Sequence, residues 1–472
     1  MLRFMTQRRL ANGRVSRAEF LRLGGLGALS GLAADRAASA VERTTVSIPR
    51  ARSVIIVFAS GGQSQFETWD PKPDAPLEVR GEFGAIPTAV PGTFVCEHLP
   101  RLAAMADRYA LIRTMSHRDV DHGSAVYLTL TGQYHQRISS NPPPGPTDTP
   151  MLMSVYRRVR PDAGTIAPAI ALNGPAIIAP NEIAPGQFGG LLGRDYDPLM
   201  VGNVNEESVA VPGLGLQPQL PTVRIRERQR LLAAVDDFVR DGSATVGVTD
   251  QYRKAFDLLD NSRTRQAFDL SGEPEHLRQR YGRNRSGQAC LLARRLAQAG
   301  VPLITVIWNH HSRGQDLHPD DDDAYGWDTH NDIFESMRDR LLPRFDQTMS
   351  ALLEDLAAQG MLDDTLVVCM GEFGRAPTGA LEKSVAGSAP GRKHWASAYS
   401  IMLAGAGVAT GHVIGRTDRH GAYPASDSYG PWDAAATVFA ALGVDPAAHY
   451  RDPFGRPLRI SVGQPIAAAY AG

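Results

Sequence analysis

Imidazoles and carboxylates recur at short spacing in four places along the chain. The segment "SGGQSQFETWDPKPD" offers Ser60, Ser64, Glu67 and Asp70 around two glycines, Gly61 and Gly62, that permit a sharp turn. "SHRDVDHGS" places His117, Asp119, Asp121 and His122 within six residues. "WDTHND" contains Asp328 and His330, and a last group combines Glu372 and Arg375 of "GEFGR" with Lys393, His394 and Trp395. Carboxylate and neutral imidazole together suit zinc, manganese or iron, because the anionic oxygen neutralises the ion while the ring nitrogen gives a directional bond. One Asp-x-His pair on a loop is ordinarily a hydrogen-bonded structural pair. Four groups point to a shared site only if the fold gathers them.

The elements between these groups predict such a gathering. Apolar runs at Ser53 to Ser60, Ala110 to Met115, Pro168 to Leu172, Pro302 to Trp308, Thr365 to Gly371 and Ala398 to Gly405 read as strands. "TLVVC" is apolar on both faces, as expected of a parallel strand covered on each side by helices. Between the strands lie helices. Ile333, Met337, Leu341, Phe345, Met349 and Leu352 form one apolar stripe over 333–358, and a second helix spans Gly287 to Gly300, where a glycine ends it. Alternation of this kind predicts an α/β fold with a largely parallel sheet, whose strand ends face one crevice. Each of the four polar groups lies just beyond a predicted strand or beside one. Gln136 to Pro150, with three consecutive prolines, reads as a loop, and Pro175 to Leu220 reads as an irregular Gly/Pro-rich insertion over the sheet edge.

Several polar stretches have plainer readings. The run Asp320 to Asp323 lacks the ligand spacing and glycine of an EF-hand and reads as a solvated acidic turn. His310 and His311 are adjacent, so in extended chain they point apart. His420 falls in a turn-rich stretch and reads as surface, and Arg224 to Arg230 reads as the wet face of a helix.

The 472 residues, with 43% hydrophobic and 21% charged side chains, can bury a large core. With 49 basic against 50 acidic residues there is no global field for nucleic acid, and no nucleic-acid partner is expected. Cys96, Cys290 and Cys369 lie far apart and show neither metal-finger spacing nor a disulfide framework. In residues 1–40 six arginines precede a small-residue apolar stretch that is followed by "ASA" at Ala38 to Ala40, the pattern of an export signal. "SRAEFLRLGG" resembles a twin-arginine signal in which Ala18 replaces the second arginine. A soluble amphipathic leader is the alternative. No window reaches the run of about 20 apolar residues that spans a bilayer, so the expectation is an exported protein of the periplasm or extracellular space with no membrane span after signal removal.

The segments "SVIIVFASGGQSQFETWDPKPDAPLEVRGEF", "CEHLPRLAAMADRYALIRTMSHRDVDHGSAVYLTLTG", "GWDTH", "GEFGRAP" and "GHVIGRTDRHGAYP" together resemble domain-of-unknown-function family 1501, an exported bacterial family. That family is similar in turn to sulfatases and alkaline phosphatases. The resemblance implies a single domain over 47–472, three-layer α/β/α and alkaline phosphatase-like, with a largely parallel central sheet. It implies a metal-dependent hydrolase of phosphate or sulfate esters acting on a small-molecule or glycan ester. Asp328, His330, Glu372 and His394 would hold one or two divalent ions, zinc, manganese or calcium. His117, Asp119 and His122 would lie near the reacting group, with His122 in the nucleophile's place as nucleophile, general base or ligand, and Arg375 would pair with an ester oxygen. Ser60, Gly61 and Gly62 stand where the related enzymes have a metal-binding Asp, so Glu67 or Asp70 would have to substitute. The competing expectation is a non-catalytic binding or assembly protein whose remnant site holds a glycan or a structural ion.

Overall fold

Strands apolar on both faces must be covered on both faces, and the computed structural model shows how. It describes residues 48–161, 167–178, 182–204, 266–308 and 326–471. The export segment, Arg224 to Arg230, His310, His311 and Asp320 to Asp323 lie outside these residues. The main strands are β1 (Ser53–Phe58), β2 (Ala110–Met115), β3 (Ala169–Leu172), β4 (Leu199–Val201), β5 (Leu303–Ile307), β6 (Thr365–Met370), β7 (Tyr399–Ala404) and β8 (Val413–Ile414). They form one sheet in the order β8-β2-β7-β6-β1-β5-β3-β4.

Side chains of successive strand residues enter opposite cores. Ile55 and Val57 of β1 join a cluster with Leu291, Leu292, Phe345 and Leu352, which belong to the helices α3 (Arg285–Gln298) and α4 (Leu342–Ala358). Val54, Ile56 and Phe58 join the other cluster, with Val126, Met153 and Val438 of α1 (His122–Thr131), α2 (Leu152–Val159) and α5 (Pro431–Ala441). The result is a three-layer α/β/α arrangement around a largely parallel sheet.

One strand departs from the parallel pattern, and the site depends on it. β7 pairs antiparallel with both β6 and β2, whereas the β1 pairs with β6 and β5 are parallel. The start of β7 therefore lies at the edge where the parallel strands end. His394, five residues before Tyr399, reaches that edge for this reason, and not by following a strand.

Other differences from the sequence reading have local causes. The expected continuous helix over 333–358 is interrupted by a π-helical turn at Met337–Leu341, next to Pro343, which has no N–H to donate back along the helix. The Gly/Pro-rich stretch after Pro175 is not wholly irregular, since it supplies the edge strand β4. The Pro-rich loop from Gln136 caps α1: Asn141 Oδ1 accepts the Gly123 N–H at 2.7 Å, and the Ser140 carbonyl accepts that of Ser124 at 2.9 Å.

The glycine pair after β1 is fixed by its surroundings. Gly62 has a φ of +77°, and a Cβ there would stand 2.6 Å from the Phe373 ring. Gly62→Ala should therefore lower stability by roughly 1–3 kcal/mol through backbone strain and a displaced ring. Equilibrium denaturation checks this, and an unchanged midpoint would show that the turn is not constrained as described.

Candidate metal centre

The carboxyl edge of β1, β2, β5 and β6 and the start of β7 bring together four side chains. His122 is the first residue of α1, reached by the loop after β2; Asp328 and His330 lie beyond β5 in sequence; His394 precedes β7. A short antiparallel ladder pairing Gly374 with Trp395 and Arg375 with His394 holds the last of these against the chain leaving β6. One potential ligand atom from each of His122, Asp328, His330 and His394 lies within 4.8 Å of the other three. Asp328 Oδ1 is 3.0 Å from His330 Nε2 and 3.2 Å from His394 Nε2, and Asp328 Oδ2 is 3.0 Å from His122 Nε2. The His330 and His394 Nε2 atoms are 2.8 Å apart.

The outer nitrogens determine what the inner ones present. His122 Nδ1 faces Glu372 Oε1 at 2.6 Å, His330 Nδ1 faces Glu382 Oε2 at 2.8 Å, and His394 Nδ1 faces the Val120 carbonyl at 2.6 Å. All three partners are acceptors, so each Nδ1 carries the hydrogen and donates it. In a neutral ring this leaves the Nε2 lone pair free. Three such lone pairs converge beside one carboxylate, the pattern of metal-ligating histidines oriented by acceptors behind them. His122 Nε2 is also buried without an aligned hydrogen-bond partner. The donor set fits a divalent cation.

Charge at the centre is set by burial and by neighbours. Burial opposes the charged form of His122, but the Asp328 and Glu372 carboxylates outweigh it and push the imidazolium up to about 9. Burial likewise opposes ionisation of Asp328, yet His122 and the Arg375 guanidinium hold its carboxyl well below the usual range. Burial and the neighbouring His122 charge lower His394 to about 3.

The remaining expected residues take other places. Glu372 was expected as a ligand; its Oε1 instead accepts from His122 Nδ1 and from the Gly61 N–H at 2.8 Å, so it stands behind the ring. His122, expected near the reacting group as nucleophile, base or ligand, stands among the four inner groups. His117 is buried and lowered to about 4 by burial, with Nε2 on the Glu372 carbonyl at 2.7 Å and Nδ1 accepting the Asp119 N–H at 3.1 Å. A neutral ring with both nitrogens engaged positions the loop and is not free as a base. Asp119 accepts from Ser124 Oγ at 2.7 Å and from the Ser139 N–H at 3.0 Å, tying the α1 start to the Pro-rich loop.

Arg375 does not reach outward to an ester oxygen. Its side chain is fully buried, with Nε on the Gly62 carbonyl at 2.9 Å, Nη1 on the Arg392 carbonyl at 3.1 Å, and Nη2 on Asp328 Oδ1 at 2.7 Å, the Trp327 carbonyl at 3.0 Å and the Gly61 carbonyl. Glu67 and Asp70 do not substitute for the absent first-strand Asp: Glu67 pairs with the buried Arg392 at 2.8 Å, and Asp70 with Lys72 at 3.0 Å and Arg113 at 3.4 Å.

Two partners escaped the sequence reading. Glu382 and the Val120 carbonyl orient His330 and His394, but a lone loop glutamate and a backbone oxygen leave no motif. A signal did exist in "WDTHND": the Asn331 side chain bonds the N–H of Glu382 and the carbonyls of Glu382, Val385 and Ala386. Asp332 accepts from the N–H groups of Ser388 and Ala389. The motif's second half clamps the loop that carries Glu382.

The sequence matches the family described as "Protein of unknown function (DUF1501)" over residues 51–469. The chain belongs to the DUF1501 family. No curated protein matches the sequence. Among solved structures, the phosphonate monoester hydrolase SpPMH from Silicibacter pomeroyi is similar at 13% identity and a TM-score of 0.39, over 88% of this chain and 75% of that one. The PsFucS1 sulfatase from Pseudoalteromonas sp. is similar at 13% identity and a TM-score of 0.38, over 84% and 68%. TAB5 alkaline phosphatase is similar at 10% identity and a TM-score of 0.34, over 84% and 99%. Among the described residues no helix is long and apolar enough to cross a membrane.

An ion at these four groups must displace the proton that His122 otherwise holds. Zinc affinity should rise about tenfold per pH unit as the pH approaches about 9 from below and level off above it. The chelated protein should behave oppositely. A raised pKa contributes stability that is complete below 6.5 and lost as the pH rises through about 9. Chelator-competition titrations and denaturation of the chelated protein across this window test both signs, and a flat zinc profile would remove His122 from the ligand set.

Proposed function

We propose that this member of the DUF1501 family is a metal-dependent hydrolase of phosphate or sulfate esters, with one divalent ion held by His122, Asp328, His330 and His394. The observation that supports this reading is the convergence of three Nε2 lone pairs on one carboxylate, each ring held from behind by an acceptor. Nitrogen-rich donation favours zinc over manganese and calcium, which prefer oxygen ligands. A divalent ion in such a set acts as a Lewis acid and activates water at neutral pH.

The chain's own groups do the rest. His122 has its Nδ1 committed to Glu372 and its Nε2 to the centre, so covalent attack by this ring is replaced by attack of water. Asp328 is kept ionised by Arg375 and so stays a ligand rather than a proton carrier. The His330 and His394 side chains are 16% and 15% exposed against 6% for His122, so substrate would approach from their side. If the N-terminal segment directs export, the ester would be met in the periplasm or outside the cell.

One observation favours a second reading, a binding or assembly protein with a structural ion: the arginine expected to clamp an oxyanion spends its donors on carbonyls and Asp328. Metal analysis of purified protein combined with turnover of aryl phosphates and aryl sulfates separates the two. The hydrolase binds about one ion per chain and turns over at least one ester, and Asp328→Ala abolishes both. Stoichiometric metal with no turnover of either ester would leave the binding protein.

A further inference from the structure

Resting on the metal-centre reading above, the charges touching the four ligands are those of Asp328 itself, Glu372 on His122, Glu382 on His330 and Arg375 on Asp328. Three carboxylates against one guanidinium leave two negative charges in excess, which a divalent ion cancels; the Lys393 ammonium near Glu382 touches none of the four ligands and is exposed and screened by solvent. A neutral centre has no surplus charge with which to prefer a dianion. We propose that the site selects singly charged tetrahedral esters, sulfate monoesters or phosphodiesters, over dianionic phosphate monoesters, and that Glu382 is a specificity determinant for this selection.

Glu382 suits that part by its position. It is the least buried of the three carboxylates, with a side chain 20% exposed against 9% for Asp328 and 0% for Glu372. It contacts, from behind, one of the two more exposed rings of the centre. Its Oε2 accepts from His330 Nδ1 at 2.8 Å, and the Lys393 ammonium stands 3.7 Å from its Oε1. Its orienting role needs only an acceptor for the His330 Nδ1–H. A glutamine carbonyl supplies that acceptor, so the charge can be removed while the hydrogen bond is retained.

The test uses two anions of one shape and different charge, methanesulfonate and methylphosphonate, bound to the zinc-loaded protein at a pH where the phosphonate is a dianion. The wild-type protein should bind methanesulfonate at least as tightly as methylphosphonate. Glu382→Gln should shift the affinity ratio toward the dianion by about tenfold, the effect of one partly screened charge near the ligand. Lys393→Gln, at an exposed position, should shift it the other way by less, a change of sign that lost structure would not produce. Turnover of an aryl sulfate, an aryl phosphodiester and an aryl phosphomonoester then tells which monoanion is used. Preference of the wild type for the dianion, an unmoved ratio in both variants, or no binding of either anion overturns the selection. A zinc-loaded protein that shows the ratio shifts but no turnover sinks the hydrolase reading alone.

Discussion

A guanidinium shut away from water must find acceptors for its N–H groups, and Arg375 finds them on the loops that build the site. Gly61 and Gly62 follow β1, Trp327 and Asp328 lie beyond β5, Arg392 precedes β7, and Arg375 itself follows β6. Breaking a buried pair by removing one partner costs about 3–5 kcal/mol, because the other charge is left uncompensated. These loops are thus locked to one another by a constraint that does not require any ligand. The geometry of the four inner groups follows from it, since Asp328 takes its place from Arg375 and His394 lies opposite Arg375 in the short ladder.

The same constraint explains the glycines after β1. At the end of β1 this chain needs two backbone carbonyls turned toward Arg375 and an N–H turned toward Glu372. Only residues free to adopt positive φ, +111° at Gly61 and +77° at Gly62, deliver all three groups within one turn. At this edge the chain after β6 supplies the polar side chains, and the chain after β1 supplies backbone groups.

Much of this was legible in the sequence, and what was not has physical reasons. Strands and the two long helices announced themselves through apolar patterning, and the polar groups at strand ends pointed to one edge of the sheet. The direction of β7 was illegible because an apolar run reads alike both ways, yet that direction delivers His394. Roles within the cluster were also hidden: Glu372, expected as a ligand, stands behind His122, because only three-dimensional contact tells an inner group from the one behind it. Arg375 looked like a ligand-binding arginine because its type and position are right for that; its burial decides otherwise. Glu382 lay in a loop with no pattern of its own, held there by Asn331.

The position of His122 argues that its charged form is a substitute for something else. It opens α1, where the helix's free N–H groups and dipole disfavour positive charge. Burial disfavours that charge as well, and two carboxylates are needed to overcome both. As a neutral ligand the same ring would meet neither penalty, and the carboxylates would balance an ion. A fold that places one atom from each of three histidines and one carboxylate within 4.8 Å of one another, and gives each ring an acceptor from behind, offers a donor set that fits a divalent cation.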